Sequence, residues 1–295
     1  MGNFDGVHLG HQAVLRRATE EGRTRGCRVV AATFHPHPRA VLTPGVQPKL
    51  LTTMELRREA LLRYGADEVW EIRFDEELSR KGPEEFVRDV LVGEIGAEAV
   101  VVGENFRFGH GAAGDVGDLG RLMRRFGGKA YSVPVRAEDG VAGISSTRIR
   151  RLVAAGEVEE AAKLLGRPYV LRGEVVVGEK RGRGIGFPTA NVLPDPVVVV
   201  PGRGVYAGFV RVGKDLYAAA SNVGLAPTFE GREGRVEAHI LDFEGELYGL
   251  VVDVDFVRRI RSERRFSGVD ELRAQIARDV EEARRITNDT IWCMW

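Results

Sequence analysis

His8 and His11 lie three residues apart in GNFDGVHLGH, with Gly10 between them, where a run with helical spacing begins. A glycine lets backbone approach a ligand closely, and a helix N-terminus attracts phosphate. Paired imidazoles there can stabilise charge that grows on an α-phosphate under attack. Two surface histidines beside a glycine turn would look the same, and a lone His-x-Gly-His does not separate the readings. A second constellation occupies residues 178–191, GEKRGRGIGFPTAN. Gly182, Gly184 and Gly186 let backbone amides close on an anion, while Lys180, Arg181 and Arg183 supply positive charge. Pro188 stiffens the entry to Thr189 and Asn191, which lie two apart and, if extended, point to one side. A hydroxyl and an amide carbonyl so placed can share one hard cation such as Mg²⁺ carrying nucleotide phosphates. The plainer alternative is a basic glycine hairpin between strands. In residues 236–243 (VEAHILDF), alternation puts Glu237 and His239 on one face, opposite Val236, Ala238 and Ile240.

These residues need two kinds of frame. In the first half, β-branched runs at 28–34, 68–74, 99–102 and 130–135 alternate with helical patterns at 53–64, 83–95 and 116–126. Short apolar strands alternating with helices predict a parallel sheet covered on both faces. Near Ser145 the texture changes. Ser145, Ser146 and Thr147 can cap a helix through Leu152, and a second helix over 157–165 ends at Gly166 and Pro168. Residues 171–177, 205–212, 216–221, 236–241 and 250–256 then read as short strands with frequent glycines, and the run at 197–200 as another short strand. That spacing predicts a small antiparallel barrel, closed by a charged amphipathic helix over 270–285.

The bulk numbers agree with a two-domain globular chain. It has 295 residues, 43% hydrophobic and 29% charged, and 43 basic residues balance 43 acidic ones. A net charge of zero gives no support to a nucleic-acid or membrane-surface partner. Cys27 and Cys293 stand alone at opposite ends, so neither zinc spacing nor a disulfide framework can be built. No apolar run is long enough for a bilayer, and no secretory pattern opens the chain. The reading is a soluble, cytoplasmic protein.

Several motifs together carry a family resemblance. GNFDGVHLGH, TFHPHP at 33–38, VGENFRF at 102–108 and ISSTRIR at 144–150 resemble, in order, the nucleotidyltransferase signatures of bifunctional bacterial riboflavin kinase/FAD synthetases. GIGFPTAN at 184–191 closely resembles the riboflavin kinase signature, and the likeness continues through 221–229, 236–243, 247–249 and 266–284. The resemblance implies a Rossmann-like α/β domain over 1–166, a barrel kinase domain with a C-terminal helix over 167–287, and an unassigned tail over 288–295. It implies that His8, His11, Ser146, Thr147 and Arg150 handle ATP phosphates and that Asn105, Phe106 and Phe108 lie by the flavin. Thr189 and Asn191 would hold Mg²⁺ and phosphate, with Gly182, Gly184 and Gly186 at the nucleotide. Glu237 aligns with the catalytic base, which must take the proton of an alcohol attacking the γ-phosphate. Riboflavin, FMN and ATP are the implied substrates.

The first motif departs from the family in one way. Met1 stands directly before Gly2, where the family has a strand of about half a dozen residues. The expectation is unpaired neighbouring strands and poorly anchored histidines. Two other functions are compatible with the motifs: a kinase with an impaired first domain, and a non-catalytic flavin-binding regulator. The second would be expected to lose Glu237 or the Thr-x-Asn pair, and this chain keeps both.

Overall fold

The computed structural model describes residues 1–43, 45, 48–134, 143–178, 184, 186–224 and 235–290. The chain divides into two compact units. One contains Met1–Pro48 and Met54–Ser146, the other Lys49–Thr53 and Thr147–Trp295.

The first unit alternates helices and parallel strands, as the period change along its sequence predicts. Helix α1 (Leu9–Arg25) ends on Gly26, whose φ of 65° is the left-handed conformation that glycine adopts without a Cβ penalty. Strand β1 (Val30–His35) follows, then the short α2 (Pro38–Leu42) and α3 (Met54–Arg63). Strand β2 (Glu68–Arg73) pairs parallel with β1 from Val30↔Glu68 to His35↔Arg73. Next come α4 (Glu76–Arg80) and α5 (Pro83–Glu85), which widens into a π-helix over Phe86–Glu94. Strand β3 (Ala99–Gly103), α6 (Val116–Arg125) and β4 (Lys129–Val133) complete the unit, with β3 parallel to β4. A core of Phe86, Val90, Leu91, Val102, Leu119 and Met123 packs the π-helix and α6 onto β3.

Among the described residues the strands form two separate parallel pairs. Between them run the first residues of the chain: the Met1 nitrogen donates to Val101 O at 2.9 Å and Gly2 N–H to Ala32 O at 3.1 Å. Beyond these two bonds a cavity of about 490 Å³ separates the facing edges, lined by Val30, Ala31, Ala99 and Val100 and floored by Val14 and Leu15 of α1.

The second unit opens with helices α7 (Ser146–Ala155) and α8 (Val158–Leu165), α7 beginning one residue before the division. These helices fold with the barrel because α8 packs on its strands and Gly202 N–H donates to Val153 O at 3.0 Å. Gly166, φ 73°, ends α8 as the sequence predicts. Six strands follow: β5 (Tyr169–Val176), β6 (Ala190–Pro194), β7 (Gly204–Val212), β8 (Asp215–Gly224), β9 (Arg235–Ile240) and β10 (Val251–Arg261). They close into an antiparallel barrel of order β10-β5-β6-β9-β8-β7. Closure leaves no unpaired edge. Tyr169, Tyr206, Val236, Ala238, Val254 and Phe256 fill it. Helix α9 (Val269–Asn288) lies on β7 and β8, burying Ala283 and Ile286 against Ala207 and Ala220. The buried Asp279 accepts Arg261 at 3.0 and 2.7 Å and so ties α9 to β10.

Two sequence expectations change here. Strand β6 was missed because only five residues, ending in a proline, form it. The apolar run 197–200, read as a strand, makes instead a turn and one parallel bridge from Val198 to Leu50. Pro196 and Pro201 bracket that run and have no N–H to give a ladder.

Candidate active sites

The histidine site of the first unit is built on a tight turn. Phe4, Gly6 and Val7 have φ of 49°, 82° and 41°, a conformation costly for side chains with a Cβ. Phe4 is 1% exposed and Val7 fully buried, so hydrophobic burial of about 2 kcal/mol each offsets the strain. The turn is pinned from several sides. Thr33 Oγ1 donates to Asn3 O at 3.2 Å, Ser146 Oγ to Asp5 O at 2.8 Å, and Gln12 Nε2 to Val7 O at 2.9 Å. Beneath it Asp5 and Arg57, 2% and 3% exposed, form an ion pair at 3.6 Å. Burial lowers the Arg57 pKa, and the Asp5 and Glu71 charges pull it back up. The expected loosening of the histidines is therefore not found: these contacts take over the anchoring. Neither Asp5 nor Arg57 was singled out in sequence, since nothing local marks two charges that meet from 52 positions apart.

His8 caps α1. Its Nδ1 accepts the His11 backbone N–H at 3.3 Å, which leaves the ring proton to Nε2. The two imidazoles stack with centroids 3.6 Å apart and planes 15° apart, and Phe4 closes edge-on against His11 at 5.2 Å. Both rings thus stand at a helix N-terminus, where an α-phosphate is attracted. Ser146 begins α7 and holds the histidine turn through Asp5 O. Thr147 and Arg150 belong to the second unit, Thr147 exposed on the first turn of α7 and Arg150 half-buried one turn on. His37 is occupied as the cap of α2, its Nδ1 accepting Arg39 N–H at 3.2 Å. In the loop after β3, Asn105 is exposed and Phe106 half-buried. Phe108 is 5% exposed and packs into the core between Phe86 and Phe106, each 5.8 Å away.

The barrel site is set by strand register. Asn191 of β6 stands opposite Glu237 of β9, and Glu237 opposite Asn222 of β8. Directly paired residues share a face, so an amide, a carboxylate and a second amide form one row across three strands. Asn191 is buried; Glu237 and Asn222 are half-buried. Val236 and Ala238 point the other way into the core, as the alternation predicts. Thr189 stands just before β6, half-buried. His239 faces Pro188 O at 2.8 Å through Nδ1 and meets Phe187 edge-on at 5.5 Å, which fixes the approach to Thr189. Thr189 and Asn191 line a cavity of about 120 Å³ with Phe243, Leu247 and Tyr248. A Cβ on Gly178 would collide with Asn191 Nδ2 and Arg235 Nη2, so one of these side chains would have to shift. Asn222 falls within the 221–229 stretch of the resemblance, and register alone places it beside Glu237. Gly184 and Gly186 are exposed, and Gly182 lies outside the described residues.

Comparison with known proteins gives both sites a common frame. The FAD synthetase family model matches residues 1–148, and the riboflavin kinase model residues 165–287. The chain is 39% identical over 285 residues to the bifunctional riboflavin kinase/FMN adenylyltransferase of Escherichia coli K12, covering 96% of this chain and 90% of that one. The protein of the same description from Bacillus subtilis is 36% identical over 289 residues, covering 97% and 90%. A crystal structure described as a macrolide-efflux protein from Streptococcus pneumoniae superposes with a TM-score of 0.87 at 36% identity, over 96% of this chain and 92% of that one. In the present chain no helix among the described residues is long and apolar enough to cross a membrane. The chain belongs to the bifunctional riboflavin kinase/FMN adenylyltransferase family, using ATP once to phosphorylate riboflavin and again to adenylylate FMN.

Proposed function

We propose that Glu237 is the base of the kinase reaction, that Thr189 and Asn191 hold the metal and phosphates of ATP, and that His8 and His11 stabilise charge in adenylyl transfer. The row Asn191–Glu237–Asn222 carries the reading, since it sets the one carboxylate of β9 beside an amide able to face phosphate. In the kinase step the terminal ribityl hydroxyl of riboflavin attacks the γ-phosphorus. Its proton passes to Glu237 as the new O–P bond forms and the bond to the β–γ bridging oxygen breaks, releasing ADP. Among the described residues no cluster of His, Cys, Asp or Glu is arranged for a metal. Thr189 and Asn191 fit Mg²⁺ nonetheless, because this ion takes few protein oxygens and completes its shell with water and substrate phosphate. Bound there, it would neutralise phosphate charge. Gly182, Gly184 and Gly186 offer backbone N–H groups to the same phosphates.

In the adenylyl step a phosphate oxygen of FMN attacks the α-phosphorus of a second ATP, and pyrophosphate leaves. His8 and His11 meet the α-phosphate, and Ser146, Thr147 and Arg150 share its charge; on this assignment the adenylylating domain runs over 1–166 and the kinase domain over 167–287. Asn105 and Phe106 contact the flavin, with Phe108 supporting Phe106 from the core. The balanced charge and scarce cysteines favour the cytoplasm.

The test follows riboflavin, FMN and FAD by chromatography in one incubation with Mg-ATP. Glu237→Ala is expected to cut FMN formation by about 10²-fold or more while leaving FAD formation from supplied FMN intact. His11→Ala is expected to do the reverse. Unchanged rates in either variant sink that half of the assignment.

A further inference from the structure

Arg235 lies two residues before Glu237 on β9, on the same face, and opposite Gly224 of β8. Its Nε and Nη2 are buried and have no hydrogen-bond partner among the described residues. These two nitrogens form one side-on edge of the guanidinium fork, the edge that takes two oxygens of a phosphate at once. A buried guanidinium edge without an acceptor is costly. Gly178, lacking a Cβ, lets Arg235 Nη2 and Asn191 Nδ2 both come against it, and both are donors. Donors from two strands therefore converge beside the carboxylate of Glu237. A solvated surface arginine would show none of this: its fork would face water.

We propose that Arg235 is a further catalytic residue of the kinase reaction, binding the β- and γ-phosphate oxygens of ATP through its Nε–Nη2 edge. The role rests on the assignment of Glu237 and Asn191 above and extends it. As the γ-phosphoryl group transfers to the ribityl oxygen, the bond to the bridging oxygen breaks and negative charge collects on the departing ADP. A fixed guanidinium there stabilises that charge more in the transition state than in bound ATP, and so acts on kcat. Glu237 takes the proton and Arg235 takes the charge.

The deciding variant is Arg235→Lys, which keeps the stem and the charge but loses the fork. It is expected to lower kcat for FMN formation by about 10-fold or more, with melting temperature and FAD formation from supplied FMN unchanged. A kcat within about twofold of the parent protein overturns the proposal. Arg235→Ala is then assayed with added guanidinium ion. Recovery of part of the lost rate is expected; a loss that guanidinium does not touch and that follows the melting temperature means packing alone. Glu237→Gln is run alongside. If it abolishes FMN formation while Arg235→Lys is normal, only this inference fails; if Glu237→Gln is itself normal, the assignment of the site fails with it.

Discussion

The two modules handle the same triphosphate with different parts of their chains. In the first, backbone conformation sets the site: a turn with three residues at positive φ aims His8 and His11, and buried groups hold it from below. In the second, strand register sets the site: Asn191, Glu237 and Asn222 are brought together by ladder pairing in a closed barrel. The first design depends on supports far away in sequence, the second on how much bulk the row of side chains admits. Perturbing a support should therefore silence one activity and spare the other.

The largest expected effect is on the support of the turn. Arg57→Leu removes the cation beside the buried Asp5 and should destabilise the first module by about 3–5 kcal/mol. FAD formation from FMN should collapse, with a new early melting transition, while FMN formation persists. Equal loss of both activities would break the comparison. Next comes bulk at the row. Gly178→Ala puts a methyl group against Asn191 and Arg235 and should raise the kinase barrier by about 1–3 kcal/mol. The readout is kcat/KM for FMN formation, with adenylylation unaffected.

A third prediction concerns the barrel wall away from the row. Burial pushes the Asp255 carboxyl up to about 7, Arg211 and Arg167 opposing and Asp253 adding to it. A carboxyl raised from about 3.9 in the unfolded chain contributes stability below that value, and the contribution is lost as pH climbs through 7. Asp255→Asn should thus gain about 1–2 kcal/mol on the parent protein between pH 4 and pH 8, measured by denaturant unfolding. No gain would mean that the arginines hold the carboxylate ionised. The smallest effect belongs to His239→Ala, which loses one hydrogen bond to Pro188 O and should cost about 1 kcal/mol in KM for ATP, with kcat kept.

Much of both candidate sites is legible locally. The switch from alternating helices and strands to closely spaced short strands gave the fold class of each half, because periodicity follows from which face is buried. Gly26 and Gly166 ended their helices as caps in the left-handed region. His8 and His11 were legible because their spacing and glycine are local, and Glu237 because alternation fixes its face. Strand β6 was not, since a five-residue segment closing on proline carries too short a pattern. The sequence by itself determined the candidates for carrying charge and protons, because residue type and short-range spacing are local. Only the tertiary structure decided what stands next to them. Asp5 meets Arg57 by folding of a loop, Asn222 meets Glu237 through the register of two strands, and Arg235 reaches Asn191 only where Gly178 leaves room. Those neighbours are set by pairing and packing between distant segments, which no local pattern encodes.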